Sequence, residues 1–253
     1  MQKGLFIVVE GGDFSGKTTF VKQLKEVLDE VDFSNVLFRS PGGDEAGEKI
    51  RKLVTETPFS EEVRTLLFAA NRVHLTQNLV KPLTSKGINV ISTRWRWSSD
   101  VYQDNREVAD FADQTMGVAV PDIYILLECE DEVMKMTLNK RNQDHPDYDP
   151  DSGNQMDVMD EEYTRDYQGV KARFQEKFDA SMITKFKFNY NQGAPKPPTK
   201  EEFIELIKPL LIELGYYEIG TSIIPEGLVH DAIFHSATEA EPVDESLFPK
   251  ARV

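Results

Sequence analysis

Two rhythms of apolar and polar positions run along the chain. Short, nearly continuous apolar runs predict strands buried in a parallel sheet, and apolar residues recurring every three or four positions predict helices packed on it. Leu5 to Glu10 is the first run, and the apolar residues Phe20, Val21, Leu24, Val27 and Leu28 after it share one helical face. Asn35 to Arg39, Ile88 to Ser92 and Asp122 to Glu128 read as further strands, the last introduced by Pro121. Ile183 to Tyr190 alternates apolar and polar and reads as a fifth. Helices are predicted over Glu45 to Val54, from the N-cap residue Ser60 to about Leu79 with Pro82 in or near its end, and over Glu132 to Arg141. Another runs from Glu161 to Phe178, with Tyr163, Tyr167, Val170, Phe174 and Phe178 as its buried stripe. The last is opened by Thr199 and Glu202 at capping-box spacing and closed by Gly215 after Leu214, with Pro209 expected to kink or divide it. Strands alternating with helices predict a three-layer α/β/α fold around a mostly parallel five-stranded sheet. No internal repeat is visible.

Two stretches break the rhythm. Residues 142–160 are acidic and carry prolines, and read as a mobile lid over a nucleotide rather than a plain surface loop. The alternating Asp147, Asp149 and Asp151 suggest Ca²⁺, but the glycine and final glutamate of an EF-hand loop are missing. Residues 216–253 form an extension without a functional reading, although Ile223, Ile224, Leu228 and Val229 could add an edge element. The expected division is therefore a domain over 1–215 and a C-terminal extension over 216–253, after the linker at Gly193 to Pro198.

Composition narrows the classes. The chain has 253 residues, enough for one large domain with a substantial core. Its net charge of -15 argues against a nucleic-acid surface. No apolar run reaches membrane-spanning length, and the first strand begins so early that no signal peptide is expected. The single Cys129 excludes an internal disulfide, fits a reducing, cytoplasmic setting, and is expected to be a buried small residue.

The chemistry concentrates in Gly11-Gly12-Asp13-Phe14-Ser15-Gly16-Lys17-Thr18, between the first strand and the first helix. Glycine, four residues, then glycine-lysine-threonine is the phosphate-cradling loop in its required context. Unpaired N–H groups and the helix dipole favour a polyphosphate there. Gly11, Gly12, Asp13, Phe14, Ser15, Gly16, Lys17, Thr18 and Thr19 are thus the expected ATP-binding set. Lys17 reaches the β- and γ-phosphates and the Thr18 hydroxyl holds Mg²⁺.

Four further segments recur in order: Phe38-Arg39-Ser40-Pro41-Gly42-Gly43 followed by Glu48 to Arg51; Leu67 to Arg72; Thr93 to Gln103; and Pro121 to Glu128. With Glu10 to Asp13 and Gly16 to Thr19, they resemble the thymidylate kinase family from about residue 4 to 215. The resemblance implies γ-phosphoryl transfer from ATP to deoxythymidine monophosphate, with Mg²⁺ and usually as a homodimer. It also implies site roles. Phe68 stacks on the base and Arg72 bonds its carbonyl edge. Arg94 grips the acceptor phosphate, with Arg39 or Arg51 as a second grip. Ser98, Ser99, Tyr102 and Gln103 line the base and sugar pocket. Asp13 sits by the sugar 3′-hydroxyl or Mg²⁺, and Lys140 or Arg141 adds charge as the lid closes. Lys17, Arg94, Asp13 and Arg141 are the expected catalytic set. The helix spacing agrees, since Phe68 and Arg72 are four apart and an aromatic plate beside an arginine suits a flat base.

The chain departs from the family at several positions. Thr93 stands where the family usually has aspartate, so Asp13 or Glu128 must compensate or metal binding is weaker. Phe14, Ser40, Trp95 and Trp97 also differ from the usual residues. These changes point to an acceptor related to thymidylate, such as deoxyuridylate or a base-modified pyrimidine deoxynucleotide. The competing readings are a catalytically weak nucleotide-binding regulator and a P-loop ATPase or GTPase switch. The set Phe68, Arg72 and Arg94 argues against the switch.

Overall fold

The structure is a computed structural model that describes residues 3–103, 106–136, 166–190 and 197–215. The lid at 142–160, Lys140, Arg141, Tyr163 and the extension at 216–253 lie outside these residues.

Five strands form one sheet in the order β2-β3-β1-β4-β5. They are β1 (Phe6–Gly11), β2 (Asn35–Arg39), β3 (Asn89–Thr93), β4 (Ile123–Glu128) and β5 (Thr184–Asn189). All four pairings are parallel. β1 is buried along its whole length, as its unbroken apolar run requires. Its side chains alternate between two cores. Phe6 and Val8 join one core with Leu75, Trp95, Trp97 and Phe174, while Ile7 and Val9 join the other with Phe20, Leu24, Phe203 and Ile207.

The helices divide accordingly. α1 (Lys17–Glu30) and the last described helix, α8 (Lys200–Glu213), cover the second core. α3 (Glu61–Leu75), α5 (Arg96–Tyr102) and α7 (Tyr167–Ala180) cover the first. α2 (Glu45–Glu56) packs on α3, and α6 (Arg106–Thr115) packs on α3 from another side. Tyr167, Val170 and Phe174 are buried and Phe178 packs half-buried beside them, so the expected stripe is present over its described part. Residues 131–136 are helical where the helix from Glu132 was expected.

Several local expectations need correction. α3 ends at Leu75, continues as a π-helical turn over Thr76–Val80, and passes into the short α4 (Lys81–Ser85), which takes Pro82 in its first turn. The chain stays helical without a break from Glu61 to Ser85, so Pro82 lies inside that run, just after the π-helical turn. Ser60 occupies the N-cap of α3 without a side-chain cap bond. Pro209 does not divide α8, which is a single helix opened by the full Thr199–Glu202 capping box. α5 and α6 were not foreseen, because neither has a long apolar stripe.

Candidate functional site

Parallel strands bring their carboxyl ends to one edge, and ligands of open α/β sheets bind there. Here β1 ends at Gly11, β2 at Arg39, β3 at Thr93 and β4 at Glu128. The chain crosses to one side of β1 after α1 and returns to the other side with β4, so the glycine loop sits where the winding reverses.

The loop is built for close approach. A Cβ on Gly11, which has φ of 143°, would lie 2.5 Å from the Leu127 carbonyl oxygen. Gly16 caps α1 in left-handed backbone with φ of 85°. Phe14 also has positive φ, 61°, which a side chain tolerates poorly. The Lys17 ammonium folds over the loop and donates to the carbonyls of Gly11 and Gly12 at 3.0 and 2.5 Å and to Ser15 Oγ at 3.4 Å. Burial pushes its pKa down to about 8, and the nearby Glu10 charge opposes the shift. Thr18 and Thr19 are exposed at the first turn of α1. Ser15 is buried, while Gly12, Asp13 and Phe14 are half-buried.

Arg94 follows β3 in left-handed backbone, φ 64°, with its N–H donating to the Val9 carbonyl at 2.9 Å. That turn aims its guanidinium at the glycine loop, where Nη2 meets the Asp13 carboxylate. Nη1 reaches Ser98 Oγ at 3.4 Å, and the guanidinium lies over the Tyr102 ring at 5.3 Å.

Glu10 explains why the chain turns there. Its buried Oε1 accepts the N–H groups of Trp95 and Ser98 at 2.8 and 3.1 Å, and Oε2 accepts Ser98 Oγ–H at 2.6 Å. A strand carboxylate thus satisfies the N–H groups of the N-cap residue Trp95 and of Ser98 in the first turn of α5, where no side chain of the N-cap residue does so. Burial raises the Glu10 pKa, and these hydrogen bonds oppose the rise. Glu10 was visible in the motif, but its role was not.

The base-pocket candidates gather on α3 and α5. Ser98, Ser99 and Gln103 are buried, while Phe68 and Tyr102 are half-buried. Gln103 is 5% exposed, and neither its amide nitrogen nor its oxygen has a hydrogen-bond partner among the described residues. Arg72 is 1% exposed. It is held by Asp113, which accepts from Nε and Nη2, and by Ser99 Oγ, which accepts from Nη1 at 2.5 Å. Burial lowers the Arg72 pKa and Asp113 opposes that shift.

The two proposed second grips differ. The Arg39 fork is taken by Glu48, with Nε and Nη2 at 3.1 and 2.7 Å. Arg51 makes one long contact, 3.4 Å, to the Pro41 carbonyl. Burial and the neighbouring Arg39 charge lower its pKa, so two cations share the region beside the 40–43 turn. Gly47, not foreseen as important, lets α2 touch that turn: a Cβ there would lie 1.9 Å from the Gly42 carbonyl oxygen.

Thr93 is half-buried at the end of β3. Glu128, the other compensating carboxylate considered, points to Lys187 at 3.4 Å. Asp13 and Thr18 supply oxygen donors of the type a hard divalent cation takes, and no group of three or more His, Cys, Asp or Glu gathers among the described residues. Cys129 is buried. No helix of the described residues is long and apolar enough to cross a membrane.

Sheet order, glycine loop and helix N-terminus together define a P-loop α/β nucleotide-binding fold. The thymidylate kinase family model matches residues 9–186, and the chain belongs to that family. The thymidylate kinase of Francisella tularensis subsp. novicida is 33% identical over 135 residues, 49% of this chain and 65% of the relative. That of Francisella philomiragia is 38% identical over 102 residues, 39% of this chain and 50% of the relative. The chain therefore spans less than two thirds of the length of these curated relatives. A solved thymidylate kinase from Ehrlichia chaffeensis superposes with a TM-score of 0.59 at 22% identity, covering 82% of this chain and 98% of that one, and shares its fold.

Proposed function

We propose that the protein transfers the γ-phosphoryl group of ATP to a pyrimidine deoxynucleoside monophosphate. Thymidylate is the first candidate, and deoxyuridylate or a base-modified relative is the next. The observation that carries the reading is the meeting of Arg94 with Asp13 beside Lys17. It brings the cation expected at the acceptor phosphate to the loop expected at the donor phosphates.

Little covalent help is needed in phosphoryl transfer, so the residues act by position and charge. Lys17 neutralises the β- and γ-phosphates from the helix N-terminus. Arg94 draws the acceptor phosphate in line, with Arg51 better placed than the Glu48-bound Arg39 as second grip. Phe68 stacks on the base, and Arg72, Ser98, Ser99, Tyr102 and Gln103 read its edge and sugar. The Gln103 amide, without a partner among the described residues, supports that role, because a buried amide without partners is costly unless a ligand supplies them. Mg²⁺ bound at Thr18 and Asp13 would offset phosphate charge. Arg141, the remaining member of the expected catalytic set, lies outside the described residues.

Residues 1–215 are the proposed catalytic unit, in a cytoplasmic setting. A homodimer is supported by Leu53, Val63, Leu66, Phe111 and Met116, which lie exposed on and beside α2, α3 and α6. A groove of about 400 Å³ runs between α3 and residues 112–116.

The test is ADP formation from ATP and Mg²⁺ across a panel of ribo- and deoxynucleoside monophosphates. Strong turnover with one pyrimidine deoxynucleotide is expected. Equal rates with every acceptor and with none would defeat the reading.

A further inference from the structure

A chain of alternating charges lies behind the base pocket. Asp113, in the last turn of α6, accepts from Arg72 Nε at 3.2 and 3.1 Å and from Arg72 Nη2 at 3.1 Å. The same carboxylate accepts Arg96 Nη1 at 2.9 Å. Arg96 Nη2 continues to Asp100 at 2.7 Å, and Lys177 on α7 meets Asp100 at 2.8 Å. Two guanidinium groups thus share one carboxylate in a mostly dry setting.

Asp113 takes the side-on fork of Arg72 in a bidentate contact, the geometry that fixes a guanidinium plane. Ser99 takes one N–H of Nη1. One N–H on Nη1 and one on Nη2 are left uncommitted among the described residues. Without Asp113, nothing described would hold the Arg72 fork, and Arg96 would repel it.

We propose that Asp113 is a positioning residue for acceptor choice: it holds Arg72 so that the two remaining N–H groups meet a carbonyl, and not an amino group, at position 4 of a pyrimidine. This rests on the base-recognition reading of Arg72 above. A site built to donate rejects a donor by leaving both groups unpaired, so the orientation of Arg72 sets the discrimination.

The experiment measures kcat and KM for dTMP and dCMP with the wild type, Arg72→Met, Asp113→Asn and the double variant, each with a thermal melt. Asp113→Asn is expected to raise KM for dTMP at least tenfold while kcat/KM for dCMP moves less than threefold. In the Arg72→Met background, Asp113→Asn is expected to leave the dTMP-to-dCMP ratio unchanged. A parallel loss on both acceptors, or an unaltered ratio where Arg72→Met collapses it, overturns the positioning role alone. A ratio unaffected by Arg72→Met overturns the underlying base reading, and the positioning role with it. Should Asp113→Asn fail to fold, Asp113→Glu keeps the charge, displaces the fork by one methylene, and is held to the same two results.

Discussion

Arg94 Nη2 meets the carboxylate of Asp13, and this single contact joins the end of β3 to the glycine loop. It matters because Thr93 supplies no carboxylate at the strand end and Glu128 is turned to Lys187. On the proposed function, Asp13 is then the carboxylate that would face both Mg²⁺ and Arg94. Asp13→Asn should raise the Mg²⁺ concentration for half-maximal turnover by about tenfold, roughly 1.4 kcal/mol. Thr93→Asp should lower it. Mg²⁺ titration of initial rates checks both, and an unchanged midpoint in Asp13→Asn would remove Asp13 from the metal site.

Lys17 gives the site a pH signature. Its pKa in the folded protein is about 8, below the ordinary 10.5, because burial disfavours its charge. On the proposed function, ATP phosphates would restore the charged form, so binding at pH 8.5 should take up most of one proton, and binding at pH 7 almost none. Calorimetry in buffers of different ionisation enthalpy reads this directly. The same shift has a stability consequence. A lysine whose folded pKa lies below its unfolded value makes the nucleotide-free protein more stable as pH rises from about 8 towards 10.5. Urea midpoints that fall across that window would contradict it.

Glu10 separates charge from hydrogen bonding. Its acceptors satisfy two buried N–H groups at the start of α5. Glu10→Ala leaves them unpaired and should cost about 3 kcal/mol. Glu10→Gln keeps an acceptor oxygen and removes a charge that burial disfavours, so its unfolding free energy should stay within about 1 kcal/mol of the wild type. Denaturant unfolding of the two variants distinguishes them, and equal losses would mean the carboxylate charge itself is needed.

Much of this was legible from the sequence. Four strands follow from apolar runs, because a strand buried on both faces leaves an unbroken signal, and β5 follows from its alternation, since it is partly exposed. The glycine loop and Arg94 follow from motifs read locally. Asp113 was not legible, since its partner Arg72 lies on another helix and only packing brings them together. Gly47 looks like an indifferent glycine in a helix until its approach to the Gly42 carbonyl is seen. The continuity of α8 through Pro209 went the other way, tertiary packing overriding a local breaker.

Gly47→Ala tests that approach. A methyl group 1.9 Å from a backbone oxygen must push α2 off the 40–43 turn. The expected cost is about 1–3 kcal/mol of stability. The acceptor KM should rise severalfold with little change for ATP, because α2 carries Arg51 and Glu48. Steady-state kinetics with each substrate varied in turn checks the asymmetry, and equal rises in both KM values would contradict it.

The most direct measurement follows the γ-phosphorus of ATP by ³¹P NMR in the presence of Mg²⁺ and dTMP. Transfer predicts that the signal appears in the β-position of dTDP, one for each ADP formed. Inorganic phosphate accumulating at a rate indifferent to dTMP would contradict the account, because Arg94 would then have no acceptor phosphate to hold.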